Sequence, residues 1–440
     1  MPKNDSQKNT ILRAPVVVIM GHIDHGKSTL LDYIRKTNIV DKEIGGITQR
    51  LSAYQVIHTE KPIPFLDTPG HAAFSAMRER GATVADIAIL VVSAEDGVKP
   101  QTKEALKTIL DAKLPYIVAI NKIDKPNADI DRTKQSLAEN EIYLEGYGGT
   151  IPFVAISAKT GDHVDELLDT ILLLAELEGL KGSPSGSPSG VVIESHRDTK
   201  RGVSATLIIK DGSIKKGEYI ISGKAGAPIR IMENFLGKVI AEASAGMPAQ
   251  IVGWSDAPEV GTIFKIFPTK KEGEKALEEI FKQSASKSHK QAPALDEGQA
   301  LLPLIVKADT QGSLDAIKKE IEALQKKEPR VKLKVLLEGT GNISESDIKA
   351  GIATALATVI GFGVSIDNNS KELAERQNIP IHLFDIIYKL TEWLEEYVRG
   401  KILKVEVEET VGKAKVQKLF SENRDKQIIG GKVLSGTLIA

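Results

Sequence analysis

The 440-residue chain contains no cysteine, which excludes disulfides and thiolate metal sites and suits a reducing compartment such as the cytoplasm. It has no apolar run near the roughly 18 residues needed to span a bilayer, so no membrane association is expected. The polar start MPKNDSQKNT has no apolar core and is not read as a secretory signal. Excess charge is missing too: 58 basic residues face 59 acidic ones, so nothing in the balance demands a nucleic-acid partner, and any RNA contact has to be a local patch. What the chain does have is length and an ordinary 41% of hydrophobic residues, which at roughly 150 residues per domain imply about three globular domains.

Residues 21–29, GHIDHGKST, follow the apolar run 16–20 and open a helical pattern at Leu30, Leu31 and Ile34, the setting a phosphate-binding loop requires. Gly21 and Gly26 let backbone N–H groups face an anion at a helix N-terminus, with His22, Ile23, Asp24, His25 and Thr29 completing the cradle. Lys27 is placed to reach the β and γ phosphates, and Ser28 supplies a hydroxyl to Mg2+. Asp67 to His71 reads DTPGH after the β-like PIPFL, so Asp67 stands at a strand end, where it can hold Mg2+ through water. Gly70 can offer its N–H to the γ phosphate. Asn121, Lys122 and Asp124 lie in NKID, after the buried-strand run 116–120. A carboxylate at Asp124 accepts N1–H and the exocyclic N2–H of guanine, and adenine offers neither. Because a site built around particular donors rejects the analogue lacking them, the reading is GTP rather than ATP. Ser157, Ala158 and Lys159 follow the run 153–156, and a backbone N–H of that loop is expected to bond guanine O6. Plainer roles stand beside these: Asp124 as a helix N-cap or Asx-turn carboxylate, His71 as an exposed loop residue, GGIT as a flexible turn, and His22 and His25 as loop packing.

All four motifs sit at the ends of β-like runs that alternate with helical ones over residues 14–180, as a mostly parallel sheet with ligand loops at its carboxyl edge requires. A disordered tail is expected over residues 1–13, and the Ser/Pro/Gly stretch within 181–190 reads as a linker. Short β-branched runs over 191–268 predict a small antiparallel β-barrel, and 269–298 a charged connector with a helical middle. Residues 299–384 return to α/β alternation, with Leu314, Ile317, Ile321 and Leu324 on one helix face and Ser344 and Asp347 marking a helix start. Residues 385–400 predict a connecting helix carrying Trp393, and 401–440 the start of a second, incomplete barrel. The fold class is therefore α/β multidomain: a P-loop GTPase domain, a barrel, an α/β/α domain, a connecting helix and the incomplete barrel.

The chain resembles the translational GTPases and, within them, is similar to the bacterial translation initiation factor 2 family. The resemblance is carried by GHIDHGKST, EIGGITQRLSAY (43–54), DTPGHAAFSAMRERGA (67–82), SAEDGVKPQT (93–102) and NKIDKP (121–126), and beyond the first domain by KADTQGSLDAI (307–317), GNISESDI (341–348) and ELAERQNIPI (372–381). It implies that Thr48 is the switch I threonine that ligands Mg2+ beside Ser28 and, through water, Asp67. It makes residues 67–71 switch II, with His71 positioning the attacking water and Ile23 and Ile47 screening it. Asp24 would lie beside the β–γ bridge, where a monovalent cation has been linked to it, so that His71, Lys27 and Asp24 form the catalytic set. The implied ligands are GTP or GDP and Mg2+. The implied partners are the ribosomal subunits and rRNA, with initiator formylmethionyl-tRNA on a C-terminal barrel whose first strands alone are expected here. A cytoplasmic monomer is expected. Two rivals remain open: a metabolic GTPase such as the GTPase subunit of sulfate adenylyltransferase, against which GGITQ and the segments after Gly298 argue, and a nucleotide-dependent ribosome-binding module without useful turnover.

Overall fold

A computed structural model describes residues 11–36, 48–182, 186–198, 201–285, 300–353, 357–401, 412–423 and 426–436, in two compact units comprising residues 1–398 and 399–440. In the first unit the apolar runs become strands because no face of them tolerates water: every residue of Ile87–Ser93 is buried. The six-stranded sheet runs in the order Ser52–His58, Lys61–Asp67, Val17–Gly21, Ile87–Ser93, Tyr116–Asn121, Phe153–Ala155, antiparallel in its first pair and parallel elsewhere. Helices Lys27–Arg35 and Val164–Leu177 lay Leu30, Leu31, Leu167 and Ile171 onto Val17, Ile19, Phe65 and Ile89. The parallel strands share one carboxyl edge, and the loops that leave it are the sequence motifs.

The tail is shorter than residues 1–13. Ile11–Leu12 pairs antiparallel with Lys181–Gly182, and Arg13 makes a two-pronged bond to Asp86 at 2.6 and 2.7 Å. Residues 1–10 lie outside the described residues. Asp86 also accepts from Val16 N–H at 2.8 Å and from Lys210 at 2.9 Å, bolting the sheet domain to the next one. Burial alone would raise the Asp86 carboxyl, but the Arg13 hydrogen bonds and the Lys210 charge outweigh it and hold it below the usual carboxylate range.

Strand Ser189–Asp198 already begins within the stretch read as a linker, of which 183–185 lie outside the described residues. It enters a seven-stranded antiparallel, barrel-like sheet ordered Ala225–Pro228, Tyr219–Ser222, Ile263–Phe267, Ser189–Asp198, Gly202–Asp211, Pro248–Val252, Ile231–Glu233. Its core is Leu207, Ile220, Met232, Trp254 and Phe264. Helix Lys270–Ala285 lies against Tyr219–Ser222 and Ala225–Pro228 rather than standing free as a connector, and 286–299 lie outside the described residues.

The third domain is a parallel sheet ordered Val331–Thr340, Ala300–Ala308, Thr358–Phe362, Ile381–Phe384. Helix Gln311–Lys327 buries Leu314, Ile317, Ile321 and Leu324, and Ser344 N–H donates to Asp347 at 2.9 Å before helix Glu345–Ala353. Helix Ile387–Lys401 follows, with Ile387, Leu390, Leu394 and Val398 as its buried stripe. In the second unit Gly412–Asn423 and Lys426–Gly436 form an antiparallel hairpin with three register irregularities. No helix among the described residues is long and apolar enough to cross a membrane.

Candidate nucleotide site

Two glycines shape the loop that opens the site. Gly21 has φ +146° and ends the first buried strand so close to its neighbour that a Cβ would stand 2.4 Å from Val91 O. Gly26, at φ +87°, caps helix Lys27–Arg35 where a Cβ would stand 2.3 Å from Asn121 Nδ2. With Asp24 also left-handed at φ 63°, the backbone takes the alternating conformation that lets successive N–H groups form an anion nest. The loop is braced from behind: Ile23 N–H donates to Gln101 Oε1 at 2.9 Å and Asn121 Nδ2 donates to His25 O at 2.8 Å. Lys27 is buried, its ammonium donating to His22 O at 2.6 Å. Burial pulls its pKa down to about 8 against the attraction of Asp67, so an anion arriving here meets a cation that water hardly screens.

At the phosphate end, Ser28 Oγ and Thr48 Oγ1 lie 3.0 Å apart, and Asp67 is buried at the end of its strand. Two hydroxyls and a carboxylate are hard oxygen donors of the kind Mg2+ takes, so this donor set fits that ion. Gly70 faces Lys27 so directly that a Cβ would stand 2.8 Å from Nζ and 3.1 Å from Ile23 Cγ1. His71 Nδ1 accepts from Ala73 N–H at 3.1 Å, capping the short turn Ala72–Phe74. Burial lowers the pKa of His71, which keeps the imidazole neutral at pH 7. Ile47 lies outside the described residues.

Sequence reasoning missed Arg78. From helix Ser75–Val84, buried to 2% exposure, it donates Nη1 to the carbonyls of Pro69 and Gly70 at 3.2 Å and of His71 at 2.5 Å, with Nη2 on Glu104 at 3.0 Å. One guanidinium thus fixes three consecutive carbonyls, those of residues 69–71. Its signal lay in MRERG, a charged run that pattern reading assigns to a solvated face. Gln101 was missed in the same way.

At the base end, Asn121 Oδ1 accepts from Ala158 N–H at 2.9 Å and Asp124 Oδ1 accepts from Ser157 Oγ at 2.8 Å, while Thr160 N–H bonds Ser157 Oγ at 3.1 Å. Lys122 is left-handed at φ 69° and its ammonium pairs with Glu95 at 3.5 Å. His25 is buried to 1% exposure against Val91 and Ser93, with His22 edge-on at 4.9 Å. Burial, then the nearby His22, push the His25 pKa down to about 3.

These loops surround a cavity of about 320 Å³. Ile23, Asp24, Gly26, Lys27, Ser28, Thr29, Thr48, Gly70, His71, Asn121, Lys122, Asp124, Ala158 and Lys159 line it, joined by Lys125. Gly21, His22, His25, Asp67 and Ser157 do not line it; Gly21 and His25 are packed against the strand of Val91, and Ser157 holds Asp124. The arrangement combines a buried cation, a hydroxyl pair, a neutral imidazole and a carboxylate at the far end. That set can hold a guanine nucleoside triphosphate and direct a water at its last phosphate.

Comparison with known proteins divides the chain in the same places. Residues 12–176 match the Elongation factor Tu GTP binding domain, 187–266 the Elongation factor G domain 2 and 270–395 the Translation-initiation factor 2 family. The chain is 41% identical to Translation initiation factor IF-2 of Rubrobacter xylanophilus, covering 99% of this chain and 64% of that one. With the protein of the same name from Dehalococcoides mccartyi the figures are 40%, 100% and 74%. With that of Bacillus subtilis they are 43%, 99% and 62%, so the chain spans somewhat under two thirds of most of these curated relatives. Among solved structures, GDP-bound aIF5B from Aeropyrum pernix is similar at a TM-score of 0.52 and 27% identity, over 96% of this chain and 82% of that one.

Proposed function

Because the chain belongs to the translation initiation factor IF-2 family, we propose that it binds GTP with Mg2+ and hydrolyses it to GDP and phosphate when the ribosome stimulates it during initiation. The observation that carries this reading is the one cavity that Lys27, the Ser28–Thr48 hydroxyl pair, His71 and Asp124 all line. Phosphoryl transfer needs positioning and charge neutralisation more than covalent chemistry. Lys27 and the loop N–H groups hold the β and γ phosphates. Ser28, Thr48 and, through water, Asp67 would hold Mg2+, which would supply further neutralisation. Asp124 selects guanine, and a backbone N–H of the loop at 157–159 meets O6. His71, neutral, orients the water, with Gly70 N–H on the γ phosphate and Ile23 beside it.

Contacts to the γ phosphate order the switch loops and hydrolysis releases them, so the protein acts as a timer. On the ribosome, with large-subunit rRNA as the stimulator, the timed event is the joining of subunits. Placement of initiator formylmethionyl-tRNA is a task of the whole factor, of which this chain spans part. The test is multiple-turnover GTP hydrolysis with and without both ribosomal subunits. Strong stimulation is the expected result; bound GTP without any stimulation would instead favour a binding module that signals by nucleotide state.

A further inference from the structure

The start of helix Ile387–Lys401 touches the nucleotide site from outside the GTP-binding domain. Gln49, next to Thr48, spends both ends of its amide there: the NH2 donates to Asp385 O at 2.9 Å and the carbonyl accepts from Ile387 N–H at 3.1 Å. It thereby satisfies one of the N–H groups that a helix start leaves without a helical partner. The next residue, Tyr388, sets its ring edge-to-face with His71, centroids 4.5 Å apart at 88°. That separation and angle are those at which aromatic rings attract through their quadrupoles. On its other side His71 is held by the bond from Ala73 N–H to Nδ1. Tyr388 also feels the first loop: burial, then the Asp24 carboxylate, raise its phenol pKa.

Tyr388 is not there to build a core. The buried stripe of its helix is Ile387, Leu390, Leu394 and Val398, and Tyr388 stands off it at 40% exposure. An exposed ring whose aromatic contact is the imidazole assigned to catalysis has a different use.

We propose that Tyr388 is a positioning residue for His71, holding the imidazole against the helix start so that hydrolysis is slow until the helix is moved, with Gln49 tying switch I to the same latch. This rests on the GTPase reading above. To orient a water, His71 must turn within its loop, and turning breaks the ring contact. A partner that draws the helix start away frees His71 and releases Gln49 in the same movement, so the distal domain and the two switches report to one another through two side chains.

The test is single-turnover GTP hydrolysis by the full chain without ribosomes, as a function of pH, for wild type, Tyr388→Ala and Tyr388→Phe. Tyr388→Ala is expected to hydrolyse about 3- to 10-fold faster, the factor an aromatic pair is worth, with unchanged GTP affinity and a thermal midpoint lowered only by the loss of that pair. Its pH profile is expected to move upward as His71 gains water and its lowered pKa relaxes towards the ordinary value. Tyr388→Phe, which keeps the ring, is expected to stay near the wild-type rate. An unchanged or slower Tyr388→Ala, with GTP still bound, overturns the latch and leaves the GTPase reading standing. A wild-type chain that does not bind GTP overturns both.

Discussion

The two ends of the nucleotide cavity are held by different parts of the molecule. At the base end every brace comes from within the GTP-binding domain: Asn121 on His25 O, Ala158 on Asn121, Ser157 on Asp124. At the γ-phosphate end the braces within the domain, Arg78 and Ala73 on the His71 loop, are joined by others from hundreds of residues further along the chain. Gln49 bonds Asp385 and Ile387, His71 meets Tyr388, Lys319 donates to Ala72 O at 2.9 Å and Ser75 Oγ at 2.5 Å, and Arg80 pairs with Asp315. The Asp124 end is thus held by one domain alone, whereas the His71 end is shared with the third domain and the helix after it. A site divided in this way can keep its nucleotide while its catalytic geometry answers to events elsewhere.

The two ends of the cavity are expected to separate most widely at His71. His71→Ala is expected to lower ribosome-stimulated hydrolysis by about 10²- to 10⁴-fold, the usual worth of a positioned proton-handling group, while GTP binding measured by equilibrium titration stays nearly constant. Retained stimulated turnover would remove His71 from the mechanism. The opposite separation is expected at the base end. Asp124→Asn should weaken GTP by about 10- to 100-fold, the cost of buried donors left unpaired, and turn preference towards xanthine nucleotides, with hydrolysis restored at saturating xanthosine triphosphate. Undiminished GTP preference in competition binding would contradict the assignment.

A smaller effect is expected at His25, which packs behind the loop against Val91 and Ser93. His25 has its folded pKa depressed to about 3, so it stays neutral while the unfolded chain takes up a proton as pH falls below about 6.5. The stability that its burial lends is therefore complete above about pH 6.5 and is lost progressively down to pH 3, at up to about 1.4 kcal/mol per pH unit. Denaturant unfolding between pH 7 and pH 5 should show that slope, and His25→Gln should flatten it. The smallest effect is expected at Arg50, whose pairing with Asp309 joins the switch region to the third domain across a guanidinium side chain 63% exposed. Arg50→Ala should change stability by no more than about 0.2–1 kcal/mol, because water already screens such a pair. A larger loss would mean that the domain joint is stiffer than its exposure implies.

The difference between the two ends also explains what could be read in advance. The loop at 21–29, DTPGH, NKID and the 157–159 turn were legible because each is a short local pattern at the end of an apolar strand run, and strand runs declare themselves by their burial. The helix stripe at Leu314, Ile317, Ile321 and Leu324 was legible for the same reason. The tail and linker were misjudged where structure depends on a distant partner. Ile11–Leu12 is a strand only because Lys181–Gly182 lies beside it, and the Arg13 side chain is tied to the distant Asp86. Arg78, Gln101 and Tyr388 were not legible, since a polar or aromatic residue on a helix looks alike whether it faces solvent or another loop's carbonyls.

By itself the sequence determined the identity of the loops, their order along the chain and the nucleotide proposed for them, because spacing, turn residues and donor chemistry act within a few residues. Only the tertiary structure decided what holds His71 and the carbonyls of residues 69–71. Those partners, Arg78, Gln49 with Asp385, and Tyr388, are joined by packing between elements whose meeting no local pattern encodes.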